Sequence, residues 1–166
     1  MSGVRAIKHR RVSGSYRKSD MSSCHWRYRR WGTPGVCYYC GCMGDSQDHV
    51  PPISLAPVDP ERCEDMAFWL IPACRECNVH LGALPVLLIG ARKAHLLRQY
   101  RNKYRKELAT PDWTPSELSS MGYNLRKKIL AGIALRDAVT ARLGVLEREC
   151  LEPTLEDYRE RGASQG

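Results

Sequence analysis

Two short motifs, Cys37-Tyr-Tyr-Cys40 and Cys74-Arg-Glu-Cys77, carry the clearest chemistry in this chain. Two thiols separated by two residues form a knuckle that presents both sulfurs to one tetrahedral ion. The 33 residues between the knuckles leave room for a hairpin-sized insert. A lone pair would read equally as a redox motif, but two pairs at this spacing point to a structural zinc. Cys24, Cys63 and Cys150 read as ordinary thiols, and so does Cys42, except that it stands close enough to compete with Cys40 for the metal. Between the knuckles lies Asp48-His49-Val50-Pro51-Pro52, and Asn78 follows the second knuckle directly. A neutral imidazole takes a proton from water near neutral pH. A carboxylate and an amide oxygen are hard donors suited to Mg²⁺. Together these three side chains offer what phosphodiester hydrolysis requires: an activated water and neutralised phosphate charge. Taken singly they read as a turn aspartate, a surface histidine and a helix asparagine.

In this order, Cys-x-x-Cys, Asp-His-Val and Cys-x-x-Cys-Asn resemble the zinc-containing HNH endonucleases, including the phage endonuclease VII type. The resemblance covers residues 37–82, about a quarter of the chain. It implies a ββα-metal fold, in which a hairpin and a helix meet at a catalytic metal while zinc ties their ends. Carried over residue by residue, it implies that Asp48 holds the catalytic divalent ion, Mg²⁺ or similar. His49 is then the general base, and Asn78 a metal ligand or an orienting group. It also implies products with 5′-phosphate and 3′-hydroxyl ends. The family commonly has a basic residue three positions after the asparagine, where this chain has Leu81. His80, one position earlier, is a candidate third ligand or phosphate contact, against the plainer reading of a helix-surface histidine.

The elements that must position these residues belong to a chain of 166 residues, 43% apolar and 27% charged, the composition of one soluble globular unit. No apolar run approaches the roughly 20 residues that span a bilayer. Residues 1–5 lack the apolar core of a secretory signal. The expectation is a cytoplasmic protein of a bacterial or phage-infected cell, in a reducing compartment where clustered cysteines favour metal over disulfide. Residues 1–31 carry a net charge of +8, residues 32–82 a net −5 and residues 83–108 a net +6. An acidic centre between two basic wings suits a cation site flanked by surfaces that hold DNA. The competing reading is that the basic residues merely solvate helix faces.

Four segments follow. Residues 1–31 read as a basic, Ser-rich arm, expected to be disordered until it binds. At its end Trp26, Tyr28 and Trp31 alternate with Arg27, Arg29 and Arg30, the pattern of a strand with aromatics turned inward or of a surface that touches nucleic acid. A mixture is preferred, with the aromatics mainly structural. Residues 32–82 form the HNH module. Its prolines exclude a long helix before Cys74, and a helix is expected to begin there and carry Cys77 and Asn78. So small a module needs zinc as a staple. Residues 83–150 form a helical extension. Leu84, Leu87, Ala91, Ala94, Leu97, Tyr100, Tyr104 and Leu108 are expected to face inward. Arg92, Lys93, Arg98 and Arg101 are expected to lie on an outward basic face that holds DNA, together with Arg27, Arg29 and Arg30. Thr114-Pro115-Ser116-Glu117 is a capping box. A longer helix is expected over 124–147, with Leu130, Ala134, Ala138, Ala141 and Val145 as its stripe. Residues 151–166 read as a polar, frayed tail.

The fold expected is therefore α+β: a small ββα-metal zinc module with a basic N-terminal arm and a helical C-terminal extension. The activity expected is metal-dependent hydrolysis of DNA. The alternative is a non-catalytic, zinc-stabilised nucleic-acid-binding module, which needs the cysteines but not the convergence of Asp48, His49 and Asn78. Oligomeric state stays open, with a homodimer among the options.

Overall fold

The computed structural model describes residues 28–55 and 66–163. Three strands form one sheet: β1 (Arg29–Arg30), β2 (Ser46–Val50) and β3 (Trp69–Ala73), in the order β1-β3-β2. β1 runs parallel to β3, and β2 runs antiparallel to it with Asp48 opposite Ile71 and His49 opposite Leu70. Side chains alternate between the faces of a strand. Asp48 and Val50 therefore lie on the buried face with Trp69, Ile71 and Ala73, while Gln47 and His49 share the other face with Leu70 and Pro72. Pro72 is tolerated in the central strand because of where its missing N–H would point. The carbonyls of Phe68, Leu70 and Pro72 accept bonds from Arg29, Trp31 and Tyr38. Position 72 thus faces the side where β1 has already ended.

Six helices follow among the described residues: α1 (Arg75–Leu81), α2 (Ile89–Lys103), α3 (Arg105–Leu108), α4 (Pro115–Ser120), α5 (Tyr123–Glu147) and α6 (Leu155–Ala163). β3 passes directly into α1, whose cap is Cys74; its sulfur accepts from the Cys77 N–H at 3.4 Å. The turn after α1 places Gly82 at φ +47°, which an L side chain adopts only with strain. The Thr114–Glu117 capping box forms as its sequence predicts and starts α4 with Pro115 in its first turn. α2 packs against both α1 and α5. One main core joins the sheet and helices through Tyr39, Ile71, Leu96, Tyr100, Val139 and Leu146. No helix among the described residues is long and apolar enough to cross a membrane.

Several expectations change. The inward face of α2 is Ile89, Arg92, Lys93, Leu96 and Tyr100, whereas Ala91, Ala94 and Leu87 are exposed. Tyr100 of the expected stripe is buried and Leu84, Leu97, Tyr104 and Leu108 pack against the core, so the inward face keeps most of that stripe and shifts to take in Arg92 and Lys93, whose buried partners turn them inward. α5 buries Val139, Leu143 and Leu146, leaving Leu130, Ala134, Ala138 and Ala141 exposed. The end of the arm belongs to the sheet: Tyr28 is buried and pairs edge-to-face with Phe68. The rest of the arm, with Trp26 and Arg27, lies outside the described residues, as do Cys24 and Cys63. Within the tail, Leu155–Ala163 is helical. Thr154 and Asp157 exchange N-terminal capping bonds, and Tyr158 meets the Trp69 ring edge-on at 5.4 Å. The Thr-x-x-Asp pattern after Pro153 signals that helix start, and burial of the Tyr158 ring holds it.

Candidate metal centre and candidate active site

The first knuckle is a tight turn. The Gly41 N–H donates to the Cys37 carbonyl at 2.9 Å and the Cys37 N–H to the Cys42 carbonyl at 2.7 Å. Gly41 stands at φ +74°, and a Cβ on Gly44 would come within 2.9 Å of the Val36 carbonyl carbon. The second knuckle is the first turn of α1. Asp45 joins the two by accepting from the Arg75 N–H at 2.8 Å, and the Ser46 hydroxyl donates to the Ala73 carbonyl at 2.9 Å. The sulfurs of Cys37, Cys40, Cys74 and Cys77 consequently lie within 4.8 Å of one another, all four residues buried. Cys42 is not among them, so Cys40 closes the knuckle.

These four cysteines can hold a metal ion. The Cys40 and Cys74 sulfurs are 3.7 Å apart, far beyond a disulfide bond. Zinc–sulfur bonds of about 2.3 Å put tetrahedral thiolates about 3.8 Å apart, so the spacing suits zinc. Hydrogen bonds among the sulfurs push the thiols in opposite directions. The bond with Cys37 is the main cause lowering Cys40 and Cys74, the latter to about 6, and raising Cys77. Cys37 is itself raised, chiefly by Cys40.

Groups from the helical extension surround the cluster. The Tyr100 hydroxyl is 3.4 Å from the Cys77 sulfur. Arg142 places one guanidinium nitrogen 3.7 Å from both the Cys40 and Cys74 sulfurs, and donates to Glu76 at 2.7 Å. Lys103 and Tyr104 also donate to Glu76. Burial pushes the Glu76 carboxyl up, but these three donors outweigh it and hold the group at about 2. None of these partners is foreshadowed by spacing, because Arg142 stands 102 residues from Cys40.

Asp48 is placed differently from its expected role. Its Oδ1 accepts from Arg92 Nη2 at 2.7 Å, and its Oδ2 from Arg92 Nε at 2.9 Å and the Tyr39 hydroxyl at 2.5 Å. Arg92 also donates to the Leu84 and Val86 carbonyls. Burial, then the adjacent Asp48 charge, raises the Tyr39 phenol, which keeps it protonated as a donor. Both carboxylate oxygens face protein donors in the core, so Asp48 does not fit the part of a ligand to a catalytic divalent ion. The Cys37-Tyr-Tyr-Cys40 motif contained one of its partners, Tyr39, in plain view; the other required the fold.

His49 projects from the opposite face of β2, half-buried, with the Tyr28 ring edge-on at 4.9 Å. Asn78 donates from Nδ2 to the Gln47 carbonyl at 3.1 Å, which brings it to β2 two residues from His49. His80 is half-buried on α1 and its ring lies 5.6 Å from that of Tyr100, on the side of the cysteine cluster. The sheet and α1 thus bring Asn78 to the strand of His49, while Asp48 projects from the face of β2 opposite His49.

The expected basic surface is reduced. Arg92 is fully buried, and the Lys93 ammonium donates to the Arg148 carbonyl at 2.7 Å inside the protein. Arg29 is half-buried with its guanidinium 4.6 Å above the Tyr158 ring. Arg30, Arg98 and Arg101 are exposed, the last paired with Glu147. Compared with known protein families, curated proteins and solved structures, the chain matches none.

Proposed function

We propose that the chain is a zinc-stapled DNA endonuclease of the HNH kind in which His49 is the general base. What supports this reading is the relation of β2 to α1. The strand bearing His49 pairs with β3, β3 leads straight into the helix bearing Asn78, and the Asn78 amide docks on the Gln47 carbonyl. Cys37, Cys40, Cys74 and Cys77 would hold the zinc, which supplies a rigid cross-link between the two knuckles rather than catalysis. Because Asp48 is engaged by Arg92 and Tyr39, no step is assigned to a catalytic divalent ion. Asp48 acts instead as an anchor that holds the register of β2 and so the position of His49.

In the reaction a water oxygen attacks phosphorus and a His49 ring nitrogen takes the proton. The bond from phosphorus to the 3′ oxygen breaks, and that oxygen takes a proton from solvent, leaving 5′-phosphate and 3′-hydroxyl ends. The edge-on Tyr28 ring restricts rotation of the imidazole. The Asn78 amide, with one donor already placed, keeps its carbonyl oxygen as an acceptor for water. Exposed Arg30, Arg98 and Arg101 contribute attraction for the phosphate backbone.

One observation favours a second reading, a non-catalytic zinc module that binds nucleic acid: Asp48 and His49 lie on opposite faces of β2. The deciding experiment incubates the full chain with supercoiled plasmid and with branched DNA, in Mg²⁺ and separately in EDTA, beside His49→Ala. Cleavage by the wild type and none by the variant supports the endonuclease. Binding without cleavage in every condition favours the second reading.

A further inference from the structure

We propose that Arg142, assisted by Tyr100, is the outer shell of the cysteine metal centre and governs how readily its thiolates react and release metal. This rests on the reading of the four cysteines as a zinc site. The Arg142 nitrogen lies 3.7 Å from the sulfurs of Cys40 and Cys74, which are themselves 3.7 Å apart. The guanidinium therefore straddles one edge of the cluster, and that edge joins the two knuckles. Its position is fixed from three directions. Glu76 accepts from Nη1 at 2.7 Å, the Tyr100 hydroxyl accepts from Nη2, and the Tyr100 ring lies face-on 4.5 Å from the guanidinium carbon. Tyr100 in turn reaches the Cys77 sulfur. Three of the four sulfurs are thus approached by side chains of α2 and α5, outside the knuckles themselves.

The chemistry follows from charge. Four thiolates around one divalent ion leave a net charge of about −2, held here inside protein. A guanidinium against two of those sulfurs offsets part of that charge and draws electron density from them through N–H···S bonds. Less electron-rich thiolates attack electrophiles and oxidants more slowly, and oxidation of a ligand sulfur is the step that lets zinc leave. An ion pair with Glu76 alone would have no need of a nitrogen equidistant from the two sulfurs. The helical extension thereby becomes part of the metal centre, although no residue of it ligates.

Zinc release from the full chain under hydrogen peroxide, followed with a colorimetric chelator, tests this directly. Arg142→Gln is expected to release zinc about 10-fold faster than wild type, in line with other outer-shell losses. Tyr100→Phe keeps the ring and removes the hydroxyl that reaches Cys77, and is expected to accelerate release by a smaller factor. After cobalt substitution, the thiolate-to-metal charge-transfer band should move to lower energy in both variants while the tetrahedral d–d bands persist. A change confined to melting temperature, with release rate and charge-transfer band at wild-type values in both variants, overturns the proposal and leaves the zinc reading standing. A wild-type chain that binds neither zinc nor cobalt overturns the zinc reading, and this proposal with it. Should Arg142→Gln not fold, Tyr100→Phe carries the same two readouts.

Discussion

Arg92 holds both carboxylate oxygens of Asp48, one through Nη2 at 2.7 Å and one through Nε at 2.9 Å, with neither side chain more than 2% exposed. This forked pair joins the central module to the helical extension across 44 residues. It takes each partner out of the role its residue type suggested: the carboxylate from metal binding, the guanidinium from DNA.

Removing one member leaves the other charged and buried. Arg92→Gln and Asp48→Asn should each lower unfolding free energy by about 3–5 kcal/mol, the usual cost of breaking a buried pair. Urea denaturation followed by circular dichroism measures it, and a double-mutant cycle should return a large coupling. Loss of any activity in Asp48→Asn should then track loss of folded protein. A folded Asp48→Asn with wild-type stability would contradict the pair's structural role.

Metal analysis of the purified chain should find close to one tightly bound zinc. Cys74→Ser should lose that zinc and melt at lower temperature, since metal binding and folding of so small a module are one equilibrium. The ligands must be thiolates, so zinc affinity should fall as pH is lowered and protons compete for sulfur. A zinc-free wild type of undiminished stability is the contrary result.

His49→Ala should reduce plasmid cleavage by about 10²–10⁴-fold, the range a general base contributes. Its circular dichroism and DNA affinity should stay near wild type, because a base acts in the transition state rather than in substrate binding. Cleavage at an unchanged rate would remove His49 from the mechanism.

Arg105, at the start of α3, is exposed like Arg98 and Arg101 on α2, and replacing all three with Gln should weaken binding of all DNA sequences about equally and flatten its dependence on salt. The slope should fall by about 1 for every phosphate no longer neutralised. Fluorescence anisotropy across a salt series reads both effects. Arg92→Gln and Lys93→Gln belong to another class: they should change stability first. Unaltered affinity and slope in the triple variant would mean that this face is only solvated.

Features that depend on near neighbours can be read from the order of residues alone. A two-residue gap is enough to set both sulfurs of a knuckle on one side of a turn, so the four-cysteine cluster was legible from Cys37, Cys40, Cys74 and Cys77. The capping box at Thr114 and the helix start at Cys74 were legible for the same reason, since each is decided within one helical turn. Tertiary structure decided everything that turned on a distant partner. Polarity alone placed Arg92 and Lys93 outside, but Asp48, itself held by the Tyr39 hydroxyl, gives one a buried counter-charge and the Arg148 carbonyl gives the other an acceptor, so both turn inward. The same logic drew Tyr158 of the polar tail onto Trp69 and Arg142 of α5 onto the cysteine sulfurs. A side chain's type states what it needs; which need is met inside the protein depends on what the fold carries to within about 3–4 Å of it.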